Sequence, residues 1–231
     1  HNWQKFVVDD ANEGSSRHAI LEPSAADATV IPSTAILLWK RMQVDDWDLA
    51  QTNLDYRNSL SKQVAMSIWR QYDRNAVKTL ETFAGSAITL PTANTLNYAG
   101  MNALAKALDV NDVPTEGRYG ITSPGGMEDL RNDTNYVNNF HNDNNVVKSG
   151  AVGGVSGFEK IGQSNLLAIP TAGQRNSYFW KKEAVGCHIA QDFKLSVDWS
   201  VERQGYSIFG SIIVGFCLID QTGIAKAQIL D

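Results

Sequence analysis

The sequence predicts an α+β fold with one dominant helix and a terminal antiparallel hairpin. Three observations lead there. Residues 53–82 carry the longest unbroken helical pattern, residues 193–201 alternate strictly, and the apolar run 207–219 returns after a turn at Gly205. The chain has 231 residues, 43% of them hydrophobic, enough for one large domain or two modest ones with a substantial core. Only 19% are charged and the formal net charge is -5. That composition excludes intrinsic disorder, which needs low hydrophobicity and high net charge. It also argues against a strongly basic nucleic-acid clamp, which depends on clustered Lys and Arg.

Taken in order, residues 1–35 read as an extended arm or long loop with one short strand. The apolar run Phe6-Val7-Val8 is broken by Asp9-Asp10 and Gly14, and residues 24–29 are small and polar. So few large apolar groups cannot close a core alone, and the segment is expected to lie against something else. Over 35–45, Ile36, Leu38, Lys40, Met42 and Val44 share one face, and Leu37, Trp39, Arg41 and Gln43 the other. Period two means a strand, and apolar groups on both faces mean neighbours on both sides.

In 53–82, Leu60, Val64, Ile68 and Tyr72 recur every four residues beside a second stripe of Ala65, Trp69, Ala76 and Leu80. Thr52 with Asp55 resembles a capping arrangement. With no Gly or Pro before Gly85, the helix would run roughly 40–45 Å. A second helix is expected over 94–108, opening at Asn94 and placing Met101, Leu104 and Leu108 on one face; the approach to Pro114 ends it. Residues 118–122 read as a strand. Ser123-Pro124 then offers an N-cap and a proline at the first helical position, starting a short helix that holds Met127 and Leu130. Residues 132–145 and the glycine-rich 150–157 read as turns, and 158–161 as a short strand. Phe193, Leu195, Val197, Trp199 and Val201 alternate with polar residues, so this strand is expected to be half-buried. Residues 224–230 form a last short strand.

No catalytic constellation emerges. The 150–157 loop is neither G-x-G-x-x-G nor a Walker loop, and Ser156 lacks the glycine two positions later that a nucleophile elbow needs. His141 with Asp143 sits in an Asn-rich stretch, and none of the four histidines (His1, His18, His141, His188) has i, i+4 spacing to another. A zinc centre needs three or four convergent ligands. Asp9-Asp10 and Asp45-Asp46 are adjacent pairs that point apart, and read as solvated turns or inter-subunit ion-pair partners. The expectation is therefore no catalytic residue, no cofactor and no metal. Two cysteines, Cys187 and Cys217, make no disulfide framework and suggest a reducing compartment. The 207–219 run is too short to span a bilayer as a helix. The first residues do not form a signal peptide, and the absence of an initiator Met suggests that something upstream was removed or is not represented.

The order of segments carries a resemblance. "DVPTEGRY" at 112–119, in the run that opens at Leu108 and is followed by Ser123-Pro124, then "GAVGGVSGF" at 150–158 with Ser164-Asn165, then "KKEAV" at 181–185, is similar to the succession in major capsid proteins of tailed bacteriophages with the Hong Kong 97-like fold. The resemblance covers roughly residues 35–230. The sequence departs from the family pattern at its start, where only about 35 residues precede the descending strand rather than a full arm.

What the resemblance implies is specific. Residues 1–45 would be the N-terminal arm and extended loop. Residues 46–93 would be a peripheral domain with a spine helix, 94–185 an axial α/β domain, and 186–231 the peripheral β-hairpin and C-terminal strand. The strand 36–44 would lie over a neighbouring subunit, with Leu37, Leu38, Trp39, Arg41 and Met42 as inter-subunit contacts. The protein would assemble through hexamers and pentamers into an icosahedral head, in the host cytoplasm. That head would enclose double-stranded DNA without sequence specificity, with scaffold, portal and cement proteins as further partners and no membrane. The acidic balance suits a container that should not grip its contents. The alternatives are an encapsulin-type nanocompartment shell and, from another class, a small hydrolase or transferase built on the 150–157 loop. The Lys–Asn cross-link of some family members finds no matching residues.

Overall fold

The computed structural model describes residues 1–6, 28–45, 56–137, 154–201 and 204–231. Thr52, Asp55, Asp9, Asp10, Asp46, His18, His141, Asp143 and the first residues of the 150–157 loop lie outside the described residues. The four-residue repeat becomes helix α1, Tyr56–Glu81. Its 26 residues make a rod of about 39 Å. Val64 and Ile68 are fully buried, and Leu60 and Tyr72 pack at the edge of the same cluster.

Beneath that face lies a three-stranded antiparallel sheet in the order β3-β8-β7, made of β3 (Ile36–Asp45), β7 (Val185–Ser200) and β8 (Gly205–Leu218). Strand β8 is central, with Ile208, Ile212 and Val214 facing the helix. Gly210 lets the helix come close: a Cβ there would stand 2.8 Å from both Ile68 Cδ1 and Val64 Cγ1. Strand β3 pairs with β8 along its whole length, from Ile36 opposite Val214 to Asp45 opposite Gly205. The β7–β8 register breaks between Ile189 and Lys194 and is regular from Lys194 to Ser200. The expectation that 36–44 projects over a neighbour is thus corrected. It is an edge strand of the chain's own sheet, held by a ladder of backbone bonds to residues some 170 positions away.

The second unit is a four-stranded sheet in the order β5-β4-β6-β9, made of β4 (Arg118–Thr122), β5 (Lys160–Gln163), β6 (Gln174–Lys181) and β9 (Ile224–Leu230). Strands β4 and β5 are parallel and the other pairs antiparallel. Helices α2 (Tyr98–Asp109) and α3 (Pro124–Asn132) bury Met101, Leu104, Leu108, Met127 and Leu130 against it, together with Phe158, Phe179 and Ile229. A one-turn helix, α4 (Thr134–Val137), follows. Helix α2 opens at Asn97, whose side chain accepts from Gly100 N–H at 2.9 Å, and not at Asn94. Asn94 has a left-handed φ of 63° in the preceding turn, where its carbonyl accepts from Leu230 N–H. Ser123 caps α3 through Gly126 N–H, with Pro124 inside the first turn. Strand β6 was not legible in the sequence. The last short strand expected over 224–230 is present as β9, and it pairs with β6 from Gln174 opposite Leu230 to Trp180 opposite Ile224.

A two-stranded ribbon, β1 (Asn2–Phe6) with β2 (Ala28–Pro32), docks against the start of β7 and the end of β8. Lys5 Nζ lies 2.7 Å from Asp220 Oδ1, Ser33 N–H donates to the His1 carbonyl, and the His1 ring stacks on His188 at 5.1 Å.

Candidate assembly surface

Alternation along β3 divides the predicted contact residues between two environments. Leu38 is 7% exposed and packs with Val64, Ile68 and Ile212 in the chain's own core, and Met42 is half-buried against the same cluster. These two are therefore core residues of the copy that carries them, a correction that follows from β3 having a helix over one face. Leu37 and Trp39 turn the other way and are 52% and 61% exposed, and Arg41 is exposed beside them. The Trp39 ring lies over Phe209 at 6.3 Å between centroids, and Arg41 Nε donates to Ser207 Oγ at 2.7 Å. Together with Ser196, Asp198 and Phe209 they line an open groove of about 600 Å³ on the sheet face away from α1.

Apolar exposure extends further than the sequence suggested. The strand expected to be half-buried leaves Leu195, Val197 and Trp199 at 42%, 38% and 45% exposed, because the hairpin carries them beyond the cover of α1. Met66 and Trp69 on α1 are exposed as well. The alternation was read correctly as a strand, but a period of two states only that one face is apolar, not that the same copy covers it.

The resemblance motifs prove to be joints. Arg118 of "GRY" is 1% exposed. Its guanidinium donates to Asp109 Oδ1 at 2.6 Å, to the Pro114 carbonyl at 3.0 Å and to the Val113 carbonyl, tying the turn after α2 to the start of β4. Tyr119 Oη donates to Glu159 Oε2 at 2.8 Å and Gly117 N–H to Glu159 Oε1 at 2.8 Å. These two donors hold the Glu159 carboxyl below the usual range, the hydroxyl first. Phe158 of "GF" is buried edge-to-face on Phe179. "KKEAV" forms the 3-10 turn Lys182–Ala184, which carries the chain from the four-stranded to the three-stranded sheet.

Nothing in these joints is arranged for chemistry. The described end of the glycine-rich loop is a two-residue hairpin turn: Val155 and Phe158 exchange backbone bonds, and Ser156 and Gly157 both have positive φ. Ser156 Oγ donates to Asn102 Oδ1 at 2.8 Å rather than to a base. A cleft of about 980 Å³ between the two sheets is lined by Trp3, Tyr72, Trp180, Lys182, Cys187 and Phe216 among others. Its nearest approach to a reactive pair is Tyr72 Oη and Cys187 Sγ, 3.2 Å apart. Burial, then the Cys187 contact, pushes the Tyr72 hydroxyl up to about 12, so it holds its proton at neutral pH. Among the described residues no three His, Cys, Asp or Glu side chains converge as a metal site. Nor is any helix there long and apolar enough to cross a membrane.

A family model described as phage capsid protein matches residues 1–230. The chain belongs to the phage capsid protein family. As a capsid protein it is a building unit of a phage head, and membership points to a structural rather than a catalytic role. Solved structures agree in fold. The capsid of cyanophage P-SCSP1u is similar with a TM-score of 0.74 at 18% identity, over 100% of this chain and 83% of that one. A structure from Mycobacterium phage Che8 gives 0.72 at 15% identity, over 98% and 83%. A virus-like particle from Pyrococcus furiosus gives 0.56 at 13% identity, over 87% and 78%. Among curated proteins no sequence matches the capsid protein.

Proposed function

We propose that this capsid protein is the major shell subunit, assembling through hexamers and pentamers into an icosahedral head around double-stranded DNA held without sequence specificity. One observation carries the reading. A single copy leaves Leu37, Trp39, Leu195, Val197 and Trp199 in water along one hairpin and its edge strand. Apolar area of that extent is favourable only when covered, at about 25 cal/mol per Å². Many modest contacts repeated around a closed shell suffice without any single strong one.

In this reading the three-stranded sheet with α1 is the peripheral domain of a Hong Kong 97-like subunit, and the four-stranded sheet with α2 and α3 the axial domain. The ribbon β1–β2, rather than β3, takes the part of the extended loop. Leu37, Trp39 and Arg41 remain as inter-subunit contacts. The net charge of -5 suits a lining that does not bind phosphate tightly. Head location, assembly in host cytoplasm, and scaffold, portal and cement partners follow from the same reading.

The test is sedimentation velocity with negative-stain microscopy of purified chain over a range of concentrations. Capsomer- or shell-sized particles are expected. A monomer at every concentration, with or without a co-expressed scaffold, would overturn the proposal.

A further inference from the structure

Strand β7 is one edge of the three-stranded sheet, and its outer edge pairs with no described strand. A long edge that is apolar on one side is ordinarily blunted by a charge or a bulge, since it templates pairing with another chain. Here the bulges lie before Lys194, leaving Lys194 to Ser200 regular, and every residue from Lys194 to Trp199 is exposed. Lys194 and Asp198 make no ion pair with any described residue.

The order of side chains along this edge is self-complementary. Antiparallel pairing of β7 with a second β7 about a two-fold axis at Ser196 sets Lys194 opposite Asp198, and Asp198 opposite Lys194, on one face. On the other face it sets Leu195 opposite Val197 and Phe193 opposite Trp199. The lysine that would otherwise repel an incoming strand meets a carboxylate twice, and the apolar groups beyond α1 cover each other. A two-fold perpendicular to the sheet keeps both α1 helices on the same side, extending the packing of Phe193 on Trp69, whose rings lie 6.1 Å apart.

We propose that two copies of this chain join edge to edge through β7, centred on Ser196, into one continuous six-stranded sheet. This contact rests on the shell reading and names one of the interfaces such a shell would use.

Cysteine cross-linking and charge reversal test it together. In a chain carrying Cys187→Ser and Cys217→Ser, Ser196→Cys is expected to give a disulfide-linked dimer on mild oxidation, since directly opposed Cα atoms lie about 4.5–5.5 Å apart. Ser200→Cys is expected to give none, its own copy lying roughly 27 Å away along the strands. Lys194→Asp alone, or Asp198→Lys alone, places two like-charge pairs on the axis and is expected to weaken self-association roughly tenfold, read by sedimentation. The double exchange Lys194→Asp with Asp198→Lys is expected to restore it. Equal cross-linking at 196 and 200, unchanged association in the single reversals, or loss without rescue in the double would each overturn the strand pairing while unmodified chain still forms large particles. Failure of the unmodified chain to form anything beyond monomer would instead overturn the shell reading.

Discussion

The two sheets of this capsid protein differ in how far each is finished within one copy. The four-stranded sheet is closed by α2 and α3, and its core side chains, Leu96, Met101, Leu104, Leu108 and Leu130 among them, are fully buried. The three-stranded sheet is covered by α1 on one face only; on the other face and along the hairpin it leaves Leu37, Trp39, Val197 and Trp199 in water. One unit buries its core within the copy, and the other is the one we propose sister chains complete. Stability and assembly should therefore be separable by mutation.

The largest effect is expected inside the finished unit. Arg118→Ala removes a buried cation that ties Asp109 and the Val113 and Pro114 carbonyls to β4. It should cost about 3 kcal/mol or more, with Arg118→Lys recovering only part, read from denaturant unfolding. The helix-covered face of the other sheet should respond on a similar scale. Ile68→Ala beneath Gly210 is expected to cost about 2–4 kcal/mol, as is Leu104→Ala in the four-stranded core. A much smaller loss at Ile68 would mean that the three-stranded sheet is unfinished on both faces, which breaks the comparison.

The reverse pattern is expected on the open face. Leu37→Thr with Trp39→Thr keeps strand propensity, so unfolding of the isolated chain should change by less than about 1 kcal/mol. The yield of large particles should nevertheless fall roughly tenfold or more. A stability loss as large as that of Ile68→Ala would show that this face belongs to the copy's own core.

The smallest effect concerns the ribbon. Burial pushes the Asp220 carboxyl up, but hydrogen bonds from Lys5 and from the Thr222 hydroxyl and N–H outweigh it and hold it below the ordinary value. A depressed carboxylate stabilises the fold above its unfolded value, and that contribution is lost as pH falls through the folded one. The docking contact should thus be intact at neutral pH and weaken below about pH 4. With both side chains about one-third exposed, the contribution is under about 1 kcal/mol. Asp220→Asn should flatten the acid dependence of Trp3 fluorescence; an unchanged titration would place the acid response elsewhere.

The sequence revealed what is local. The four-residue repeat of α1, the Ser123-Pro124 start of α3 and the alternation of 193–201 each depend on neighbours within a few positions. Strand β6 escaped because Asn176 and Ser177 sit buried in its middle, Ser177 meeting Thr122 Oγ1 at 3.1 Å, and polar letters at core positions hide a strand. The placement of β3 failed for another reason. Apolar groups on both faces suit a projecting ribbon as well as an edge strand under a helix, and the choice depends on β8, far along the chain. Of the predicted contacts, Leu38 and Met42 lie against the copy's own core, while Leu37, Trp39 and Arg41 stay outward. Exposure of Leu195, Val197 and Trp199 depends on where α1 stops covering the hairpin, which no pattern within the strand encodes.

Helix α1 also belongs to both units. Val64 and Ile68 sit in the hairpin's core, and Val77 and Leu80, about three turns on, pack with Leu167 and Tyr178 under the four-stranded sheet. A sideways push on the hairpin is therefore delivered as torque to the far sheet through one stiff rod. Each copy then answers load as a lever, with one cylinder anchored in both cores, through Val64 and Ile68 in one and Val77 and Leu80 in the other.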